Sequence, residues 1–372
     1  RLQQIAEQTD LQRPAVFQLS GGTTGTPKVI PRLHPEYWYN AVATARWWNL
    51  TPADRLAFGL PLVHNAGITN ALHAAHSTGA ALLLTTPVAD DLLSLMAAEN
   101  ATWLMSPPGL MSEYLAHPGF DEAFADLKNC VLTAARVPRK LFDVLESRGV
   151  HVVQAFGMTE GLFLFTPSDA APELRARTVG VPISPLDEVR LLEPGTRKPA
   201  AELGTVGELC VRGPYTIRGY LDAPEHDAEA FTPDGFYRSG DIVGIHHIAG
   251  MTAYSIEGRV KDLINRGGEK VNASEVETLL LRHQAIAEAA LVAMPDERLG
   301  ERACAFVVVR KHHQLPTLAD LCAFLEYQGL AKYKWPERLE YLDALPRTPI
   351  GKIFKRALRD DITRRLGGMG QS

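Results

Sequence analysis

The chain has 372 residues, with 38 Lys and Arg against 43 Asp and Glu and a formal net charge of −5, a balance that argues against a general nucleic-acid or anionic-membrane binder. At 46% hydrophobic and 22% charged residues, with 30 Gly and 25 Pro, the composition is that of a folded protein rich in turns and excludes extended disorder. Its longest apolar stretches, such as 80–84, fall far short of the ~20 residues of a membrane span, so no membrane partner is expected.

After a short polar helix, residues 14–19 read as a strand that delivers Ser20 into Ser20-Gly21-Gly22-Thr23-Thr24-Gly25-Thr26-Pro27-Lys28, a loop too rich in Gly, Thr and Pro to be regular structure. Up to about Thr166 the pattern then alternates. A helix at 37–48, a strand at 55–60, a helix after His64 and a strand at 80–85 come first. A helix at 90–100, strands at 102–105 and 129–134, a helix from Pro138 and a strand at 151–155 follow. Strands alternating with helices of this length predict an α/β fold with a mostly parallel sheet over residues 1–178. Ligands on such sheets sit at the carboxyl ends of the strands.

Over 179–261 the helices stop, and short strands broken by Gly-Pro, Asp-Gly and Ser-Gly predict a small antiparallel β-subdomain. Residues 262–372 form a third part. It reads as a strand, a GGEK turn, a helix at 273–282, strands at 289–294 and 304–310, a helix at 318–327 and a basic tail, making a compact α+β domain. Four cysteines, Cys130, Cys210, Cys304 and Cys322, lie far apart without metal-ligand spacing, which predicts buried free thiols in a reducing cytoplasm.

Chemistry concentrates in a few motifs. The Gly-rich loop offers backbone N–H groups, four hydroxyls and Lys28 to a phosphate, although no register of GxxxxGK[ST] fits it. Gln154-Ala155-Phe156-Gly157-Met158-Thr159-Glu160-Gly161 places Thr159 and Glu160 just past a strand, where a carboxylate can hold Mg²⁺ against a polyphosphate. Tyr237-Arg238-Ser239-Gly240-Asp241 and Glu257-Gly258-Arg259-Val260-Lys261-Asp262 supply an Asp and an Arg suited to ribose hydroxyls and phosphate. Each of these also has a plain reading as a surface turn.

Taken in this order, and with Arg347-Thr348-Pro349-Ile350-Gly351-Lys352, the motifs resemble those of the adenylate-forming superfamily of acyl- and aryl-CoA synthetases, peptide-synthetase adenylation domains and luciferases. LPLVHN, RGPYTIRGY, GFYRSGD and INRGGEKV look similar to the stand-alone aryl acid-AMP ligases. The resemblance implies ATP- and Mg²⁺-dependent conversion of an aromatic carboxylic acid to its adenylate. Transfer to the phosphopantetheine thiol of a carrier protein, or to free CoA, would follow. It assigns Ser20, Gly21, Thr23, Thr24, Lys28, Gly157, Met158, Thr159, Asp241 and Arg259 to the nucleotide, with Glu160 and Thr24 at the metal. Lys352 would bridge carboxylate and α-phosphate, and His64 would stand beside the carboxylate. Asp262 would be the hinge of a mobile C-terminal domain, while Gly267 and Gly268 would leave room for the pantetheine arm. Lys355 is read as a solvated tail lysine. A non-catalytic module of the same fold is the alternative from another class.

The acid pocket implied by the resemblance comprises His64, Asn65, Asn70, Ala134 and Phe163. Where the dihydroxybenzoate pattern has HNYPLSS this chain has His64-Asn65-Ala66-Gly67-Ile68-Thr69-Asn70, and Thr133-Ala134-Ala135-Arg136 replaces a Gly-Gly-Ala run. Phe163 stands where a Val is usual. These departures point away from 2,3-dihydroxybenzoate and towards salicylate, an aminobenzoate or a hydroxypyridine carboxylate. Family members carry a further α/β subdomain ahead of the Gly-rich loop, so the chain is expected to be a fragment.

Overall fold

The computed structural model describes residues 10–20, 28–200, 206–347 and 353–369, with side chains to Leu366. Two compact units are present. The larger takes in residues up to Ser239 together with Val243–Ile256, and the smaller takes in Gly240–Ile242 and the chain from Glu257 onward.

In the larger unit a seven-stranded sheet runs in the order Ala81–Leu84, Arg55–Phe58, Trp103–Ser106, Asn129–Leu132, Val152–Gly157, Phe163–Phe165, Val181–Pro182. The first five strands are mutually parallel and the last two antiparallel. Its central strands are buried on both faces, which is why their sequences are continuous apolar runs without alternation. One face packs on Leu92, Met96, Phe120, Phe142 and Leu145; the other packs on Trp48, Ala71, Ala74 and Tyr215. The helix expected after His64 is a π-helical turn at Gly67–His73 continued by Ala74–Thr78. Such wide turns are uncommon and occur frequently at functional sites. Here Gly67 is required, because a Cβ would lie 2.6 Å from the Leu62 carbonyl oxygen. Ahead of the sheet, Pro14–Leu19 and Val29–Leu33 form an antiparallel pair, and helix His34–Trp47 follows directly.

Several elements differ from the sequence reading. Helix Pro108–Ala116 fills the crossover between Trp103–Ser106 and Asn129–Leu132, a segment whose two leading prolines obscure a helix they actually start. The β-region is not helix-free, since Pro224–Ala230 is helical. It otherwise consists of a four-stranded sheet ordered Glu188–Leu192, Val206–Arg212, Tyr237–Ile248, Met251–Arg259. Cys130, Cys210 and Cys304 are buried free thiols as expected, but Cys322 is half-exposed.

In the smaller unit the long hairpin Ile286–Asp296/Gly300–Val309 carries apolar side chains on both faces. Ala289, Leu291, Ala303, Ala305 and Val307 face helices Ala273–Leu280 and Leu318–Tyr327. Their alternating neighbours Ala290, Val292, Met294, Cys304 and Phe306 face Leu358 and Ile362. The expected basic tail is therefore an amphipathic helix, Lys355–Met369, whose apolar stripe covers the second sheet face while Arg356 and Arg364 stay in water and Arg359 and Arg365 are held by carboxylates. Lys355 is likewise not solvated. Its ammonium pairs with Glu277 at 2.7 Å, and both side chains are about 15% exposed or less.

Candidate active site

The Gly-rich loop leaves Pro14–Leu19 and returns at Val29–Leu33, and its neck is closed by Ser20. The Ser20 amide donates to the Lys28 carbonyl at 2.9 Å and the Lys28 amide donates to Ser20 Oγ at 3.0 Å. Gly21, Thr23 and Thr24 lie outside the described residues, as does Lys352. Lys28 itself is placed: its ammonium stands 4.8 Å from the centre of the Tyr220 ring. Burial lowers its pKa, opposed by the charges of Glu160, Glu229 and Asp227.

Glu160 sits in a tight turn, Met158 to Leu162, joining strands Val152–Gly157 and Phe163–Phe165. One of its oxygens accepts a hydrogen bond from the Tyr220 hydroxyl at 3.0 Å, and that hydroxyl is also 3.0 Å from Tyr237 Oη. The turn is sharply bent. Gly161 has φ 117° and Leu162 φ 76°, and a Cβ on Gly161 would meet Tyr215 O and Thr216 Cα at 2.6 Å. Its backbone is also held from outside, since three successive carbonyls accept from three other segments. Met158 O takes Asn65 Nδ2 at 3.4 Å, Thr159 O takes the Arg32 guanidinium at 2.7 Å, and Glu160 O takes the Ile217 amide at 2.8 Å. Gly157 has no room for a side chain, because the Phe163 ring lies where its Cβ would be.

Among the acid-pocket candidates, Asn65 and Asn70 are both buried but differ in what they have left to offer. Among the described residues, Asn65 Oδ1 is buried without a hydrogen-bond partner. Asn70 Oδ1 lies 3.0 Å from the Thr69 hydroxyl and 3.3 Å from the Thr44 hydroxyl, each of which shares its proton with a nearer carbonyl, Asn65 O at 2.8 Å and Asn40 O at 3.0 Å, so its acceptor is shared within the fold. His64 is exposed, and its Nδ1 accepts from the Ala66 amide at 3.3 Å. Ala134 is exposed with φ 69°, a left-handed conformation that suits glycine better than alanine. Phe163 is buried in the core, stacked on Phe165 at 5.5 Å, and its amide donates to Tyr215 Oη at 3.1 Å. The Tyr215 hydroxyl donates in turn to Asp187 at 2.7 Å. Burial pushes the Asp187 carboxyl up to about 6, against the bonds from Tyr215 and the Ser184 backbone.

In the smaller unit the buried Asp241 carboxylate pairs with Arg259 Nε at 2.9 Å. Asp262 ends a short turn, Val260–Asp262, and its carboxylate is bound by the guanidinium of Arg359 on the last helix. Gly267 and Gly268 are the two central residues of the hairpin joining Leu263–Arg266 to Glu269–Asn272, with φ 58° and 97°. Two positive φ values are what a tight two-residue hairpin demands, so the turn alone accounts for both glycines.

Residues 2–221 match the family described as AMP-binding enzyme, and residues 275–352 match its C-terminal domain. The chain belongs to the AMP-binding enzyme family. Pyochelin synthase PchD of Pseudomonas aeruginosa is 42% identical over 359 residues, covering 95% of this chain and 64% of the relative. A 2,3-dihydroxybenzoate-AMP ligase of Bacillus subtilis is 40% identical over 363 residues, covering 95% and 65%. The crystal structure of ATP-bound MatB from Rhodopseudomonas palustris has a TM-score of 0.85 at 28% identity, covering 95% of this chain and 69% of that one. The chain thus spans about 65% of the length of the curated relatives it matches.

The structure of this AMP-binding enzyme chain adds residues that sequence reading did not single out. Tyr220 connects the last residue of the Gly-rich loop to Glu160, and its place in RGPYTIRGY was the available signal. Arg32 was marked by period: Ile30 and Arg32 alternate on one strand face, both with no exposed surface, and a charge at a core position of a strand calls for a reason. Tyr215 lies in the same motif as Tyr220, whereas Asp187 had no local signal.

Proposed function

We propose that the chain is the larger part of an enzyme that activates an aromatic carboxylic acid with ATP and passes the acyl group to a thiol, with a carrier-protein phosphopantetheine favoured over free CoA. The observation that carries this reading is the cluster of Lys28, Tyr220 and Glu160, which joins two motifs 132 residues apart in the sequence at the carboxyl end of a parallel sheet. A partly desolvated ammonium and a carboxylate joined through one tyrosine suit a metal-bound polyphosphate. The cation draws the β- and γ-phosphates and Glu160 faces their counter-ion.

The donor set fits Mg²⁺ delivered with the nucleotide. Among the described residues no group of three or more His, Cys, Asp or Glu side chains is arranged for a metal, and Mg²⁺ commonly relies on one or two carboxylates, water and substrate phosphates. Bound there, Mg²⁺ would neutralise phosphate charge. Thr23, Thr24 and Ser20 are assigned to the phosphates, Gly157, Met158 and Thr159 to the nucleotide beside the turn, and Asp241 with Arg259 to the ribose. The first step brings a carboxylate against an anionic α-phosphate, so Lys352 is given the bridging charge that most lowers that barrier.

For the acid, the unspent acceptor of Asn65 favours a ring substituent that donates, a hydroxyl or amino group ortho to the carboxylate, with His64 beside the carboxylate and Ala134 and Phe163 as walls. With the Asn70 acceptor engaged by two threonines, Asn65 Oδ1 is the acceptor left for the acid, which fits the one ortho donor of salicylate or anthranilate. Gly267, Gly268 and Asp262 are proposed to serve the thiol-transfer step and the domain movement it needs.

The test is ATP–pyrophosphate exchange with benzoate, salicylate, 2,3-dihydroxybenzoate, anthranilate and hydroxypicolinate. Salicylate or anthranilate should exchange best, and Lys352→Ala should lower exchange by about 100-fold or more, the scale of removing one preorganised transition-state charge. No exchange with any acid, or full exchange by Lys352→Ala, would overturn the assignment.

A further inference from the structure

Arg32 is wholly enclosed on strand Val29–Leu33, four residues beyond Lys28. Among the described residues it makes no ion pair, and both of its hydrogen bonds go to backbone carbonyls: Nη1 to Thr159 O at 2.7 Å and Nη2 to Tyr215 O at 2.9 Å. Among the same residues Nε is buried without a partner, and the guanidinium packs 5.3 Å from the centre of the Tyr37 ring. Enclosing a cation without a bound carboxylate costs several kcal/mol that an apolar side chain of the same volume avoids. If filling the core were its only task, a methionine would do it at less cost. The fork of a guanidinium does something no apolar residue does: it reaches two carbonyls on two chain segments at once.

Those two carbonyls belong to the turn that carries Glu160 and to the segment that leads into Tyr220. Arg32 therefore braces, from the strand that ends the Gly-rich loop, both the metal-facing carboxylate and the approach to the tyrosine that bonds it. We infer that Arg32 is a positioning residue for the nucleotide site, fixing Glu160 relative to Lys28 so that a metal-bound polyphosphate meets both. The inference rests on the ATP reading above and extends it to a residue that touches no ligand.

The consequence is specific to the metal. Without the brace, Glu160 should lose its aim, while the ribose contacts proposed for Asp241 and Arg259, which Arg32 does not touch, stay. The experiment measures dissociation constants of ATP with and without Mg²⁺, and of adenosine, for the chain and for Arg32→Met, Arg32→Lys and Glu160→Gln. In the unaltered chain Mg²⁺ should tighten ATP binding. In Arg32→Met that gain should shrink about tenfold, towards the value for Glu160→Gln, with a clearly smaller loss of adenosine affinity.

Arg32→Lys keeps the charge but cannot span both carbonyls, so it should lose most of the gain as well. It also serves as the readable variant if Arg32→Met does not fold. A core-filling role alone would lower the melting temperature and leave the Mg²⁺ gain intact, and that result overturns the inference. Parallel loss of ATP and adenosine binding also overturns it. If the unaltered chain shows no Mg²⁺-dependent ATP binding, the ATP reading itself fails, and the inference with it.

Discussion

At the scale of single residues, the most consequential groups are those whose environment departs from the ordinary. The Asp187 carboxyl is raised to about 6 by burial, whereas in the unfolded chain it titrates near its ordinary value. Between about pH 4 and pH 6 the folded form keeps a proton that the unfolded form has released, so this group makes stability fall as pH rises through that window. The two-unit rise corresponds to about 3 kcal/mol. Asp187→Asn keeps an acceptor for the Tyr215 hydroxyl and removes the titration. Denaturant unfolding should therefore show the Asn variant gaining on the unaltered chain by about that amount between pH 4 and pH 7; parallel profiles would contradict it. Ala134 is a second such residue. Its φ of 69° costs an alanine about 1 kcal/mol that a glycine does not pay, so Ala134→Gly should raise the unfolding free energy by about that much in the same assay.

At the scale of elements, the last helix shows how one residue can decide whether a segment docks. Lys355 opens helix Lys355–Met369 and is paired with Glu277 on helix Ala273–Leu280. Glu277 also accepts from the Leu291 amide of the long hairpin at 2.6 Å. Burial raises the Glu277 pKa while Lys355 opposes the rise, so deleting the lysine strands a carboxylate. Lys355→Met should destabilise the smaller unit by about 3 kcal/mol, and Glu277→Gln added to it should restore most of the loss, since Gln still accepts from Leu291. Hydrogen exchange on the helix amides would read both changes. The same helix shows a limit of sequence reading. Its arginines dominate the composition of 355–369, so it reads as a tail, and the stripe made by Leu358 and Ile362 acquires meaning only against the sheet face it covers.

At the scale of the whole molecule, each unit owns its cores. Among the described residues, four apolar clusters lie within the larger unit and two within residues 264–366 of the smaller. Separate cores predict separate cooperative transitions. Scanning calorimetry should resolve two, with unfolding heats in a ratio of roughly 2:1 that follows the residue numbers of the units; a single transition would mean that the two melt as one.

The order of α/β alternation, the β-rich region and the compact last domain was legible in the sequence, because hydrophobic period and Gly-Pro punctuation are local properties written in consecutive residues. The Gly-rich loop, Thr159–Glu160 and Asp241 stand out as candidates for the same reason, each being a short motif of consecutive residues. Tertiary structure alone decided the rest. It set Tyr220 between Lys28 and Glu160, tied Asn70 to two threonines while leaving Asn65 Oδ1 unspent, and enclosed Arg32 beneath the turn it braces. These are contacts between segments up to 183 positions apart, and no local period encodes which distant carbonyl a buried side chain will meet. Desolvation makes such contacts count, and burial exists only once the chain has folded.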